Sequence, residues 1–172
     1  MQFNFSDLPP FKEQGCCDSG CDCATSNLKS STACPTCNMF GEIVSNLTVY
    51  SLSDKERRRQ IDQGGDDGYS ICLTPSCNTL YYLKKSIIST DQARREFHLK
   101  DSSSTHTICY CLKIDRDEIV DAVHNQKLTG MRDIMKTLKG EPPCKCEKNN
   151  PTGLCCEDEF NQIIKEAIDS YV

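Results

Sequence analysis

Fourteen of the 172 residues are cysteine, and every one belongs to a tight pair or cluster. The groups are Cys16-Cys17, Cys21-x-Cys23, Cys34-x2-Cys37, Cys72-x4-Cys77, Cys109-x-Cys111, Cys144-x-Cys146 and Cys155-Cys156. Thiols this close in sequence are badly placed to bond to one another and well placed to share a soft ion. Metal binding is the expectation, with a disulfide scaffold as the lesser alternative. Cys34-Pro-Thr-Cys37 is a knuckle whose tight turn aims two thiolates at one cation and lets turn amides donate to the sulfurs. Cys72 and Cys77 follow 34 residues on and straddle an expected hairpin turn. Together the two pairs supply four soft donors, a closed tetrahedral shell for Zn²⁺ that leaves no position for water. Such a site stabilises a fold and does not catalyse. Spacing alone also admits iron in the same four-sulfur geometry.

The elements that must position these residues are short. Aliphatic residues are scarce and tryptophan is absent, so a small core needs help from cross-links or metal. Residues 1–33 read as an irregular, cysteine-rich leader. Residues 34–100 read as a small β-rich module, with strands at Ile43-Val44, Leu47–Tyr50, Tyr69–Leu73, Leu80–Leu83 and Arg95–Leu99. Within it Ser53-x-x-Glu56 is a capping box that opens a short charged helix. Residues 101–105 are a linker, and residues 106–172 turn helical. Asp115-x-x-Glu118 caps one helix, and a second starts at Thr129 and stops at Gly140. Phe160, Ile163, Ile164, Ala167 and Ile168 follow the spacing of an amphipathic helix. The fold class expected is α+β, a β-rich zinc module followed by a helical module.

Net charge is −5, which argues against nucleic acid held through phosphates. The start of the chain has no basic and apolar signal pattern, and no apolar run approaches the ~18 residues of a membrane span. A cytoplasmic protein in a reducing compartment, without membrane insertion, is expected.

The second half carries a resemblance. Thr107-Ile-Cys109-Tyr-Cys111, then two helices, then Cys144-x-Cys146 and Cys155-Cys156 before an amphipathic helix resemble the [2Fe–2S] domain of bacterioferritin-associated ferredoxin. The longer loop between Cys146 and Cys155 is more similar to the N-terminal domain of the archaeal-type copper chaperone CopZ. That likeness extends upstream through Cys34-Pro-Thr-Cys37 and Tyr69-Ser-Ile-Cys72-x4-Cys77-x3-Tyr81-Tyr82, covering roughly residues 34–170. The resemblance implies a zinc module on Cys34, Cys37, Cys72 and Cys77 joined to a helical [2Fe–2S] module. Four thiolates hold such a cluster, two per iron. Cys109 and Cys111 are the firm pair; Cys146 and Cys156 are favoured for the second iron, with Cys144 and Cys155 as alternates.

The implied role is redox-linked copper handling between Cu(II) and Cu(I), with a copper chaperone, a copper-transporting ATPase or a redox partner as the other party. The CopZ type carries an M-x-C-x2-C copper loop after this region, and this chain has none, which leaves direct copper delivery open. Cys16, Cys17, Cys21 and Cys23 form a possible further soft-metal site that suits Cu⁺ or zinc. His98, His106 and His124 fall outside any cysteine–histidine cluster pattern and read as surface or strand residues. No catalytic motif stands out, so an enzyme is not expected beyond electron transfer or metal reduction. Two alternatives stay open: a ferredoxin-like electron carrier or cluster sensor without copper, and a purely structural multi-zinc interaction module.

Overall fold

The structure, a computed structural model, describes residues 9–12, 32–61, 68–95, 97, 100 and 106–170. The chain is α+β and divides into two units. One comprises residues 23–102 and 145–154, the other residues 1–22, 103–144 and 155–172.

The first unit is built on a four-stranded antiparallel sheet in the order β1-β2-β3-β4: β1 Glu42–Val44, β2 Tyr69–Ile71, β3 Thr79–Leu83 and β4 Ser86–Ser89. The expected hairpin is present, with Ser70 opposite Tyr82 and Ile71 opposite Tyr81. Its core is Val44, Val49, Ile61, Tyr69, Ile71, Leu80, Tyr81 and Ile88. Lys84 takes the left-handed conformation (φ 54°) in the turn from β3 to β4. Strand β4 was not expected, because Ser86-Ile-Ile-Ser89 is too short to show an alternation.

Leu47–Tyr50 is not a strand. It lies in helix α1, Asn46–Leu52, where the Ser45 hydroxyl accepts the Thr48 amide at 3.1 Å. The β-branched residues favour a strand, but the cap and the burial of Asn46, Val49 and Leu52 at three-residue spacing override that preference. The short helix α2, Lys55–Arg58, is capped by Asp54 rather than Ser53, whose hydroxyl instead donates back to the Val49 carbonyl at 2.6 Å. Arg58 donates to the carbonyls of Tyr50, Ser51 and Ser53, closing the end of α1. The Arg57–Arg59 run is thus partly structural. Arg95–Leu99 forms no strand among its described residues: Arg94 and Arg95 bend after the Ser53–Ala93 bridge, and Phe97 lies outside any element.

The second unit opens with a two-stranded ribbon, β5 Thr107–Cys109 and β6 Ile114–Asp115. Helix α3, Arg116–Gln126, starts on the expected capping box, Asp115 accepting the Glu118 amide while Glu118 reaches back to the Asp115 amide. Helix α4, Met131–Lys139, begins two residues after Thr129 and ends at Gly140, whose φ of 94° suits glycine. A short helix α5, Cys146–Asn149, which the sequence did not signal, belongs by its contacts to the β-rich unit, where it packs on α1. Helix α6, Glu157–Asp169, is the expected amphipathic helix and buries Phe160, Ile163, Ile164 and Ala167 against α3 and α4. The chain near its start adds to this unit: Lys12 bridges Gly130, and the Lys165 ammonium sits 4.7 Å from the Phe11 ring centre. No helix among the described residues is long and apolar enough to cross a membrane.

The capping box makes a test of the helical unit. Removing the cap in Asp115→Ala should lower stability by about 1 kcal/mol, read as helical circular dichroism on heating. Burial raises the Glu118 pKa, but the Lys139 ammonium at 2.6 Å and the Asp115 amide outweigh it, leaving a net lowering. The stabilisation is full above the unfolded value of ~4.3 and is lost as pH falls through the lower folded value. Glu118→Gln should therefore make the melting temperature less sensitive to acid below about pH 4.3; an unchanged acid limb would contradict this.

Candidate metal centres

Two turns of the β-rich unit present four thiols. In the first, the Cys34 amide donates to the Met39 carbonyl and the Asn38 amide to the Cys34 carbonyl, both at 2.8 Å. Asn38 adopts the left-handed conformation (φ 61°), which asparagine tolerates better than most residues and which closes the knuckle. In the second, Cys72 directly follows β2 and Cys77 precedes β3. The Cys72 amide donates to Leu80 at 2.9 Å and the Cys77 amide to Thr74 at 3.1 Å. The Lys100 ammonium donates to the carbonyls of Cys77 and Thr79, at 2.6 Å each, and pins that end of the hairpin.

The four sulfurs converge as spacing implied. Cys34 Sγ lies 3.9 Å from Cys77 Sγ, Cys37 Sγ lies 3.6 Å from Cys72 Sγ, and all four atoms fall within 4.8 Å of one another. A regular tetrahedron with Zn–S bonds of ~2.3 Å has sulfur–sulfur edges of about 3.8 Å. The donor set therefore fits a Zn²⁺ ion, with two of its edges already at the tetrahedral length. It is the one such group of three or more among the described residues.

Local donors prepare the sulfurs for charge. Burial pushes the Cys34 thiol up, but the amides of Cys37 and Thr36 on its sulfur outweigh burial and the net is a lowering. The Thr74 hydroxyl, 3.4 Å from Cys37 Sγ, and then the Met39 amide bring Cys37 down to about 6. Burial dominates at Cys72 and pushes it up to about 11, despite the Thr74 amide and hydroxyl. Thr74 thus serves a thiol from each turn. The sequence reading missed it, although its place two residues after Cys72 is where a turn amide meets the sulfur.

Tyr82 closes the first turn at its base. Its ring packs with Cys34, Cys72 and Cys77, its hydroxyl donates to the Thr32 carbonyl, and it accepts the Gly41 amide at 3.0 Å. The segment carrying Cys34 and Cys37 is thus held at both ends by one phenol. Gly41 must lack a side chain here, since a Cβ would sit 2.2 Å from the Ile71 carbonyl oxygen. Tyr81, its neighbour on β3, points the other way and donates to the Pro151 carbonyl at 2.8 Å.

In the helical unit Cys109, Cys111, Cys155 and Cys156 form no disulfide. The Cys156 thiol donates to Cys109 Sγ, which, with the amides of Leu112 and Cys111, outweighs burial and lowers Cys109. Cys156 is pushed up by Cys109, then by Cys155 and by burial, so the proton rests on Cys156. Cys109 and Cys156 are buried, while Cys111 and Cys155 are half-buried. Cys111 acts on Cys109, and Cys155 on Cys156, through charge, and outside the four-cysteine group no three metal-ligating atoms of the described residues converge. Burial, then Glu159, pushes the Tyr110 phenol up to about 12, and Glu159 also lies 3.3 Å from His106 Nε2. Cys144 is disulfide-bonded. Cys146 forms no disulfide and is buried at the start of α5, in the other unit. Cys16, Cys17, Cys21, Cys23 and His98 lie outside the described residues. His124 Nε2 donates to the Ala167 carbonyl at 2.8 Å and is a structural residue.

Zinc binding must displace the protons that these thiols still hold. At pH 7 Cys37 is mostly thiolate and Cys72 is not, so calorimetry in buffers of different ionisation heat should find fewer than four protons released per zinc. Affinity should rise with pH through the neutral range; release of all four protons, or a pH-independent affinity, would contradict the assignment.

Residues 31–94 match the family model of the CopZ-type zinc binding domain. No curated protein matches the chain. Among solved structures, the N-terminal domain of CopZ from Archaeoglobus fulgidus is similar, with a TM-score of 0.57 at 20% identity over 77% of this chain and 97% of that one. The β-rich unit thus holds a segment that matches a zinc binding domain and brings four cysteines together, within a fold similar to that of the archaeal domain.

Proposed function

We propose that this chain is a metallochaperone-type protein of copper handling, in which a structural zinc supports the β-rich unit and a [2Fe–2S] cluster resides with the helical unit. The observation that carries the proposal is the convergence of four thiols within 4.8 Å in a segment matching a zinc binding domain. Cys34, Cys37, Cys72 and Cys77 hold the zinc. For the cluster, Cys109, Cys111 and Cys156 are three ligands, supported by their lack of disulfides and the contact between Cys109 and Cys156. Cys146 is the fourth on chain order and burial, with Cys144 and Cys155 as the alternates. When bound, a [2Fe–2S] cluster supplies one electron at a time, enough to take a Cu²⁺ cargo ion to Cu⁺. The protein's own share is to bury Cys109 and Cys156 and to offer amides of Cys111 and Leu112 to the Cys109 sulfur. Cys16, Cys17, Cys21 and Cys23 are proposed as a soft-metal site for the cargo, with a copper chaperone, a copper-transporting ATPase or a redox partner as the recipient or donor. The setting is the cytoplasm.

The test is the absorption spectrum and metal content of protein purified without oxygen. Two irons, acid-labile sulfide and one zinc per chain are expected, and Cys146→Ser should bleach the sample where Cys155→Ser leaves it coloured. Addition of Cu²⁺ to the reduced sample should restore the oxidised spectrum. A colourless protein that takes up only zinc, even after reconstitution with iron and sulfide, would overturn the cluster. A coloured protein that transfers no electron to Cu²⁺ would leave a ferredoxin-like carrier and overturn the copper role.

A further inference from the structure

We propose that Cys37 is the exchange thiolate of the four-cysteine centre, the sulfur through which soft electrophiles and incoming thiolates open it. The inference rests on the zinc reading above and goes on to say which of the four bonds gives way.

The four donors are not equivalent. Cys34 and Cys72 are 1% exposed and Cys77 is 6% exposed, each packed against the others and the Tyr82 ring. Cys37 is only half-buried, and its chain neighbours Pro35, Thr36, Asn38, Met39 and Phe40 are all exposed. Met39 and Phe40 reach 59% and 75% exposure, a large apolar pair beside the most open of the four cysteines. An attacking reagent needs a path to the sulfur; Cys37 offers the most open one, and Cys77, 6% exposed and lining a pocket with Ser76, Phe97 and Lys100, stands next.

Two groups temper that sulfur: the Met39 amide, and the Thr74 hydroxyl at 3.4 Å, whose oxygen accepts from the Cys37 thiol and whose proton turns to the sulfur once it is a thiolate. Hydrogen bonds to a thiolate draw charge from it and lower its nucleophilicity. The Met39 donor belongs to the turn itself and cannot be removed without rebuilding it. The Thr74 hydroxyl can, because valine keeps the shape and loses the donor.

With a maleimide the step balances as follows. A sulfur lone pair of zinc-bound Cys37 forms the carbon–sulfur bond, and the alkene π pair moves to the neighbouring carbon and takes a proton from water. The product is a neutral thioether, a poor ligand, so the zinc–sulfur bond breaks and Zn²⁺ is left on three thiolates, from which a chelator removes it. With an incoming thiolate, a new zinc–sulfur bond forms as the Cys37 bond breaks, and charge is conserved.

The experiment treats full-length, zinc-loaded protein with N-ethylmaleimide below stoichiometry, under anaerobic conditions. Zinc release is followed with a coloured chelator and adducts are mapped by peptide mass spectrometry. Among Cys34, Cys37, Cys72 and Cys77, the first adduct should fall on Cys37, and its growth should match zinc release in time. Thr74→Val should speed both, measured per zinc bound at the start, by roughly three- to tenfold, as a thiolate that has lost a hydrogen-bond donor gains nucleophilicity. A first adduct on Cys34, Cys72 or Cys77, or a Thr74→Val rate equal to wild type, would overturn the inference and leave the zinc site standing. Protein that holds no zinc before treatment would overturn the zinc reading itself, and the inference with it.

Discussion

Four sulfur atoms lie within 4.8 Å of one another in the β-rich unit, and much of that unit's architecture serves to hold them there. Four thiolates at this separation repel strongly, since each raises the others' cost of ionisation. The conflict falls unevenly on the four: Thr74 and the Met39 amide drive Cys37 toward the thiolate, while burial drives Cys72 toward the thiol. A divalent cation at the centre removes the conflict by turning each repulsion into a shared attraction. The unit has few other means of fixing its two cysteine turns. Its sheet is made of strands of three to five residues, and its apolar core is eight buried side chains. A domain of this size generally needs a metal or cross-link to hold one conformation.

The backbone supplies what a cation cannot. Turn amides point at Cys34 and Cys37, Thr74 serves thiols of both turns, and Tyr82 ties together the two ends of the segment that carries the first pair. Preorganised donors of this kind lower the reorganisation needed on metal entry. They also set an asymmetry, with three donors enclosed and one at the surface. The helical unit builds its thiol group differently, placing Cys109 on a strand and Cys156 at the start of α6, with the core of three helices behind them.

The chemistry was more legible in the sequence than the fold around it. Metal ligands in short turns must sit at fixed spacings, so Cys34-x2-Cys37 and Cys72-x4-Cys77 announce themselves without any alignment. The capping box at Asp115 and the stripe from Phe160 to Ile168 are equally local signals, and both helices stand where expected. Leu47–Tyr50 misled because β-branched propensity is a weak force beside the Ser45 cap and burial on α5. Helix α5 was invisible because four residues have no period to show, and its membership in the β-rich unit is a long-range fact. Tyr82 was legible only as the last residue of the motif that begins at Tyr69. Its hydroxyl's two partners, at Thr32 and Gly41, lie some forty to fifty residues back along the chain, beyond any local pattern.

The measurement that bears most directly on the centre is zinc K-edge X-ray absorption on the full-length protein as purified. Cys34, Cys37, Cys72 and Cys77 around one ion predict a single shell of four sulfurs at ~2.3 Å with no nitrogen or oxygen neighbour. A shell containing light atoms at ~2.0–2.1 Å, or fewer than four sulfurs, would contradict the closed four-thiolate site.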